Sequence, residues 1–263
     1  MLKELFENEK IEYFGCVPFC ECRVINPSLL ERKCDFDPKV AVMLLAPFYT
    51  GEEEGRNISR YAVPRDYHLY FGELFGRLCG WLAEAFPGYR FQGFVDHSPI
   101  AEVHGAALAG LGVIGRKGQL INEKYGSYVF IGEILTDFPF ETRTFPRREC
   151  DGCGKCEDLC PAPGSCFSMM NQDKGELSDE CKRIMLETGC VWGCDVCREV
   201  CPMNEGIEKT PVGFFYEDRT PHLTSEAVEN MSDSEFSARA YAWRGRKVIL
   251  RNLKFFEHPD IIL

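Results

Sequence analysis

The stretch "CDGCGKCEDLCP", from Cys150 to Pro161, decides how the rest of the sequence is interpreted. Its four cysteines are separated by two, two and three residues, and a proline follows the last one. This is the spacing of the bacterial ferredoxin run, in which three close thiolates bind one 4Fe–4S cluster and the fourth binds a second cluster. The pattern therefore requires a second cysteine run elsewhere in the chain.

A second run is present as "CVWGCDVCREVCP", from Cys190 to Pro202. Exchange of the fourth ligand between the runs predicts two cluster sites. The first is formed by Cys150, Cys153, Cys156 and Cys201, and the second by Cys160, Cys194, Cys197 and one further thiolate. Spacing alone leaves that last ligand open among Cys166, Cys181 and Cys190.

Two other interpretations of these cysteines are a zinc site and a surface rich in unligated thiols. Zinc also accepts four thiolates, but its sites seldom place a third cysteine two residues on with a proline behind the fourth. The spacing therefore favours iron–sulfur clusters. Three further cysteines in "GCVPFCEC", Cys16, Cys20 and Cys22, have no clear fourth partner beside them, so we expect ordinary thiols there.

Composition narrows the class of protein. The chain has 263 residues, 45% hydrophobic and 13% aromatic, which is enough for a substantial core. No apolar run approaches the roughly 18 to 20 residues of a membrane span, and the acidic, amphipathic start does not resemble a secretion signal. We therefore expect no membrane association and a location in the cytoplasm, a reducing compartment in which crowded cysteines indicate metal.

The net charge of −11 comes from 41 acidic and 30 basic residues, so any contact with nucleic acid requires a local basic patch. The segment from Arg239 to Lys254, "RAYAWRGRKVILRNLK", is the one obvious candidate.

Apolar patterning predicts an α+β fold in front of the cysteine runs. The segments 40–48 and 127–135 have the length and composition of buried strands, and 65–86 has helical periodicity ended by Pro87 and Gly88. Composition changes near residues 146 and 210. We therefore predict an α+β domain at 1–145, a cysteine-rich domain at 146–210, and a C-terminal segment at 211–263 that packs back on the core.

Two stretches, Phe94 to Pro139 and Asn57 to His68, resemble the epoxyqueuosine reductase family. Members of this family use cobalamin and two 4Fe–4S clusters in the last step of queuosine synthesis in tRNA, and reductive dehalogenases are distant relatives. The resemblance implies a nitroreductase-like cobalamin-binding domain, a ferredoxin-like domain with two clusters, and a reduced flavodoxin or ferredoxin as electron donor.

The resemblance also implies roles for individual residues. Asp96 in "VDHSP" stands where the family has its proton donor, and we expect it to be buried with a raised pKa. The alternative is that Asp96 caps the helix that follows. Cys181 matches the family's fourth ligand of the second cluster. The positions that would contact the corrin are Asp96, Leu120, Ile131, Leu135, Cys194 and Asp195.

Several departures from the family pattern bear on the substrate. The segment before residue 40 is short, Arg183 in "CKRI" stands where the family has a small serine, and "CPMN" replaces C-P-W-N. The chain ends soon after Lys254, without the helical-repeat tail with which longer members grip tRNA. The missing tail and the net charge of −11 together weaken the expectation that tRNA is the substrate. The sequence thus leaves two hypotheses: a cobalamin-dependent reductase with Asp96 as proton donor, or an electron-transfer or corrinoid-reducing protein without an organic substrate.

Overall fold

The structure, a computed structural model, describes residues 2–259 and divides into two compact units. The first unit comprises Met1–Tyr49, Tyr70–Cys153 and Pro202–Val212. The second comprises Thr50–Leu69, Gly154–Cys201 and Gly213–Leu263, of which the last four residues lie outside the described part. Both units are therefore assembled from separate stretches of the chain.

The first unit is built on a four-stranded antiparallel sheet in the order β1-β2-β6-β3, with a separate two-stranded hairpin, β4-β5. Its strands are β1 Phe14–Pro18, β2 Val40–Pro47, β3 Phe91–Val95, β4 Val113–Ile114, β5 Leu120–Ile121 and β6 Val129–Thr136. All eight residues of β2 are buried, because this strand has a neighbour on each side and lies inside the sheet.

Helices cover both faces of this sheet. The helices that contribute to this unit are α1 Leu2–Asn8, α2 Pro27–Lys33, α3 Tyr67–Ala85 and α4 Glu102–Leu108. On the α3 face, a Cβ added to Gly132 would lie 2.5 Å from the Phe71 ring, so only glycine admits the ring there. On the α4 face, Gly105 lies against Met43 of β2. Because side chains alternate along a strand, Ile131, Glu133 and Leu135 all face α4.

The predicted strands at 40–48 and 127–135 are thus confirmed within two residues at each end, and the predicted helix at 65–86 is α3. The predicted α+β fold class is also confirmed. The sequence signals were strong because each of these elements buries an apolar stripe or a continuous apolar run.

The second unit is mainly helical. Its helices are α5 Lys155–Asp158, α6 Phe167–Gln172, α7 Asp179–Thr188, α8 Val196–Glu199, α9 Ser225–Asn230, α10 Asp233–Ser237 and α11 Arg246–Glu257. Helix α11 packs against α6, α7 and α9 around a core centred on the fully buried Trp192. The Trp192 indole donates a hydrogen bond to the Tyr61 hydroxyl at 2.9 Å. The segment before α3 thereby joins this core.

Short 3₁₀ helices complete the two units, at Phe19–Glu21, Arg60–Ala62, Pro202–Asn204, Gly213–Tyr216 and Ala240–Arg244. Among residues 2–259, the structure contains no helix that is both long enough and apolar enough to cross a bilayer.

Candidate functional site

Asp96 lies in the turn between β3 and α4, where its backbone is left-handed with φ of 60°. This conformation is uncommon for a residue with a side chain. The Asp96 backbone amide donates a hydrogen bond to Oε1 of Glu102, the first residue of α4, at 2.9 Å. The turn that presents Asp96 is therefore tied to the start of the next helix by a carboxylate.

The side chain of Asp96 is exposed, so the predicted burial is wrong. The physical reason is that β3 ends at Val95 and the left-handed turn carries the next residue away from the sheet. The alternative role as helix cap is wrong as well, because α4 begins at Glu102 and its N-cap residue is Ala101. Asp96 is thus an accessible carboxyl group on a constrained turn.

The three apolar residues expected to contact a corrin lie on the α4 side of the first unit but differ in accessibility. Ile131 is half-buried, and continuing the β3–β6 register past Val95 and Gly132 would place Asp96 opposite Ile131. Leu120 and Leu135 are core residues with 2% and 0% of their surface exposed. Leu135 lies four residues beyond Ile131, about 13 Å further along β6. The structure brings Ile131 to the Asp96 end of the sheet and places Leu135 away from it.

Glu133 is a residue that the sequence analysis missed. It is fully buried in β6, and its Oε1 accepts a hydrogen bond from the Ser98 hydroxyl. Burial raises the pKa of the Glu133 carboxyl well above its usual value, and the neighbouring Glu102 carboxylate raises that pKa further. The available signal was one charged residue inside the apolar run "SYVFIGEIL".

Asp195, a predicted corrin contact, is the centre of a buried polar network in the second unit. Its carboxylate accepts hydrogen bonds from the Ser59 hydroxyl at 2.7 Å, the Arg60 backbone amide at 2.7 Å and the Arg56 guanidinium at 3.1 Å. Arg56 also binds Glu199 at 2.6 Å. These contacts show Asp195 anchoring residues 56–60, a role that the sequence did not indicate.

The first cysteine run begins in the first unit, where the Cys150 backbone amide donates to the Ile114 carbonyl at 3.0 Å. Gly152 and Gly154 have φ of 69° and 81°, which turns the chain sharply on either side of the exposed Cys153. In the second unit, Cys156 lies on α5 and Cys160 lies two residues after that helix ends. Glycine at the two turns leaves the run free to adopt the tight path that closely spaced ligands need.

The second cysteine run lies wholly in the second unit, where α8 packs against α5. Cys197 is on α8, and Cys194 directly follows Gly193, whose φ is 73°. Burial raises the pKa of Cys194 to about 12, and the nearby Cys197 and Cys166 add to that increase. The structure thus places Cys166 close to Cys194, a relationship that spacing alone did not reveal.

The three candidates for the last cluster ligand have different environments. Cys181 is the third residue of α7 and is buried. Its backbone amide donates a hydrogen bond to the Ser178 hydroxyl at 3.2 Å. Cys166 is exposed at the start of α6. The Cys190 thiol donates to the carbonyls of Trp192 and Gly193 at 3.4 and 3.5 Å. The choice of Cys181 over the other two stays a prediction.

All fifteen cysteines lie among the described residues and are reduced thiols. The chemistry of the predicted donor set fits a cluster, since thiolates are the usual ligands of 4Fe–4S centres. Across residues 2–259, no three His, Cys, Asp or Glu side chains stand close enough together to hold a single metal ion.

Three further predicted features have simple local environments. Burial raises the pKa of Cys16 to about 11 and that of Cys22 to about 12, so both thiols stay protonated at neutral pH. Cys20, between them, is exposed. Arg183 forms a hydrogen-bonded ion pair with Glu187, one turn along α7, at 2.6 to 2.7 Å.

Comparison with known proteins matches this chain to one family. The family model described as "Epoxyqueuosine reductase QueG, DUF1730" matches residues 37–97. An epoxyqueuosine reductase of Listeria monocytogenes is 30% identical over 71% of this chain and 53% of the relative. One from Synechocystis sp. is 30% identical over 76% of this chain and 73% of the relative. The chain thus spans little more than half the length of the Listeria relative.

Solved structures match the fold over almost the whole chain. A crystal structure of epoxyqueuosine reductase with an epoxyqueuosine-modified tRNA-Tyr stem loop has a TM-score of 0.79 at 24% identity, covering 97% of this chain and 80% of that one. A reductive dehalogenase, described with a mechanism for B12-dependent dehalogenation, has a TM-score of 0.51 at 17% identity, covering 96% and 37%. On sequence similarity and fold together, this chain belongs to the epoxyqueuosine reductase family.

Proposed function

We propose that this chain is a cobalamin-dependent reductase that carries two 4Fe–4S clusters and converts an epoxide to an alkene. The observation that carries the proposal is the Asp96 turn: a family member holds an accessible carboxyl group on a constrained turn at the end of β3. An accessible acid in a fixed position suits proton delivery to a bound substrate.

The residues proposed to hold the cofactors follow from the cysteine spacing and from the family resemblance. The clusters would be bound by Cys150, Cys153, Cys156, Cys201, Cys160, Cys181, Cys194 and Cys197. The corrin contacts implied by the resemblance are Asp96, Leu120, Ile131, Leu135, Cys194 and Asp195. Of the proposed corrin contacts, Leu120 and Leu135 are the least accessible. When bound, cobalamin would supply a low-valent cobalt centre able to reduce an electrophilic carbon, and the clusters would supply the electrons.

The proton balance explains why such a reductase needs an acid. Conversion of an epoxide to an alkene and water consumes two electrons and two protons. Asp96, in its acid form, donates one of these protons to the oxygen that leaves carbon, and solvent supplies the other and restores the acid. General acids positioned in this way typically contribute about 10²- to 10⁴-fold to the rate.

We propose epoxyqueuosine in tRNA as the substrate, because a related structure contains an epoxyqueuosine-modified tRNA stem loop. Although the net charge is −11, the segment Arg239 to Lys254 offers a local contact. Trp243 is 62% exposed there, and the Arg244 guanidinium stacks over its ring at 3.9 Å. An exposed aromatic ring beside a cation suits stacking with an unpaired RNA base.

A reduced flavodoxin or ferredoxin is the proposed electron donor, and the cytoplasm the proposed location. The donor is what the family resemblance implies. The location follows from the cysteine content, since crowded cysteines indicate metal in a reducing compartment.

The test is turnover of an RNA stem loop containing epoxyqueuosine by anaerobically reconstituted protein with hydroxocobalamin and a chemical reductant. We expect the wild type to form queuosine, and Asp96→Asn to lose at least about 100-fold in rate while it still binds hydroxocobalamin. Asp35→Asn is the control, because that carboxyl group is 85% exposed in the same unit. An Asp96→Asn variant as active as the wild type would contradict the role of Asp96. Cobalt reduction by the wild type without any turnover of RNA would instead support a corrinoid-reducing protein.

A further inference from the structure

We propose that Glu102 is the positioning residue for Asp96, and that Glu102 is itself held by one proton shared with the buried Glu133. This inference rests on the proposed function only for the role of Asp96. The interaction between Glu102 and Glu133 concerns only the fold of the first unit.

Glu133 is 0% exposed, lies in the middle of β6 and faces α4. Its Oε1 accepts from the Ser98 hydroxyl, whereas its Oε2, within the described residues, is buried without a hydrogen-bond partner. A buried carboxylate oxygen without a donor is costly, so this atom requires an explanation.

The neighbour that acts on Glu133 is Glu102, the first residue of α4, a helix that packs against β6; the Glu102 carboxylate raises the pKa of Glu133. Two neighbouring carboxylates in a poorly solvated site are not both ionised, because like charges repel strongly there. If Glu133 Oε2 carries a proton, it donates a hydrogen bond to the Glu102 carboxylate. Oε2 is then no longer a buried oxygen without a partner. Glu133 is the site of the proton because it is the more deeply buried of the two.

The surroundings of Glu133 support this assignment. Ser98, in the turn after β3, donates a hydrogen bond to its carboxyl group, and Glu102, on α4, is the neighbouring charged group. Cys22, which follows the first 3₁₀ helix, is close enough for Glu133 to raise its pKa, and it too is a group that stays neutral. The register partners of Glu133 in β2 and β3 are Met43 and Phe94, neither of which titrates.

Glu102 connects the pair to Asp96. It keeps its negative charge, and its Oε1 accepts a hydrogen bond from the Asp96 backbone amide at 2.9 Å. Hydrogen bonds to a charged acceptor are stronger than neutral ones, which offsets the strain of a left-handed aspartate. The turn that presents Asp96 is therefore held by Glu102, whose rotamer is in turn set by the proton from Glu133. The shared proton stays on the pair and is not consumed.

Infrared spectroscopy of the full-length reconstituted protein tests the shared proton without any assay of activity. We expect a protonated-carboxyl C=O band at pH 7 that is lost in Glu133→Gln and kept in Glu84→Gln, which removes an exposed carboxyl group. The band should also persist in Asp96→Asn. A wild-type spectrum identical at pH 7 to that of Glu133→Gln would overturn the inference.

Kinetics on the epoxyqueuosine stem loop test the positioning role. We expect Glu102→Ala to lower kcat by about 10- to 100-fold with little change in KM, because the Asp96 amide loses a charged acceptor. Glu102→Gln should restore most of the rate, since its amide oxygen still accepts that hydrogen bond. Wild-type kcat in a folded Glu102→Ala variant would refute the role.

If Glu102→Ala does not fold, hydrogen exchange in the wild type decides the same point. The Asp96 amide should exchange at least about tenfold more slowly than in an unstructured chain, and exchange at the unstructured rate would refute the bond to Glu102. Failure of the wild type to reduce the stem loop would overturn the proposed function alone, because the infrared and exchange results concern the carboxyl pair in either case.

Discussion

Asp195 and Arg60 are joined by a hydrogen bond of 2.7 Å from the Arg60 backbone amide to the Asp195 carboxylate, although 135 positions separate them in the sequence. Ser59 and Arg56 donate to the same carboxylate. One buried anion thus fixes the segment that precedes α3 against the start of α8. Its importance for stability is directly measurable.

We expect Asp195→Asn to lower the free energy of unfolding by about 2 to 3 kcal/mol, because the amide group faces N–H donors and leaves the Arg56 cation short of a partner. That change corresponds to a melting temperature lower by roughly 5 to 10 °C. The control is Asp179→Asn, whose carboxyl group is 99% exposed, and it should change stability by less than about 0.5 kcal/mol. Equal changes in the free energy of unfolding for the two substitutions would show that the buried network does not contribute to stability.

The raised pKa of Glu133 predicts a pH dependence of stability. A carboxyl group whose pKa is higher in the folded state than in the unfolded state binds its proton more tightly when folded. Its contribution is fully present below the unfolded pKa of about 4.3 and is lost as pH rises toward the folded pKa. Stability conferred by Glu133 should therefore fall as pH rises, by up to about 1.4 kcal/mol per pH unit.

The measurement is urea unfolding of the wild type and Glu133→Gln from pH 5 to pH 8. Glu133→Gln cannot titrate, so it should gain stability relative to the wild type as pH rises. A constant difference between the two proteins across this range would mean that Glu133 keeps an ordinary pKa.

Three serine variants distinguish the candidates for the last cluster ligand. We predict that Cys181→Ser reduces bound iron from about eight to about four atoms per chain, because one cluster loses a thiolate. Cys190→Ser should keep its iron, because that thiol already donates to two backbone carbonyls. Cys166→Ser is the sharpest comparison, since this thiol lies close to Cys194. Loss of iron in Cys166→Ser with full iron in Cys181→Ser would reverse the assignment.

Gly193 is predicted to be essential for the path of the chain into the second cysteine run. Its φ is +73°, and an added Cβ would lie 2.5 Å from the Ser59 Cβ. Gly193→Ala should cost about 1 to 2 kcal/mol for the left-handed backbone and a further 1 to 3 kcal/mol for the clash.

Gly189→Ala is the matched control for this substitution, because its φ is +66° and its Cβ would have nothing within 4 Å. It should show only the backbone cost. Urea unfolding, with iron content measured on the same samples, compares the two variants. Similar losses of stability in both variants would show that Ser59 moves aside without a cost in free energy.

The sequence was sufficient for the elements that bury an apolar stripe. The eight apolar residues of β2 and the periodicity of α3 predicted a strand and a helix because local patterning determines both. The family was also identified from contiguous motifs, whereas the clusters that the cysteine spacing indicates stay a prediction.

The sequence was insufficient wherever the partner of a residue lies far along the chain. The pairing of Arg56 with Asp195 joins positions 139 apart, and no local pattern indicates it. Asp96 was expected to be buried, but a left-handed turn, which is tied to Glu102 by a hydrogen bond, exposes it. Glu133 was overlooked because its role depends on Ser98 and Glu102, which other elements supply.

The discontinuous second unit has a consequence for synthesis on the ribosome. Residues 56–60 emerge well before Asp195, the anion that fixes them, and their hydrogen bonds form only after more than 130 further residues have been added. Contacts of such long sequence separation form late and slow folding. A nascent chain that stalls before the second cysteine run would therefore expose residues 56–60 without Asp195. An excised fragment 154–201 would in turn contain Asp195 without the residues that it binds.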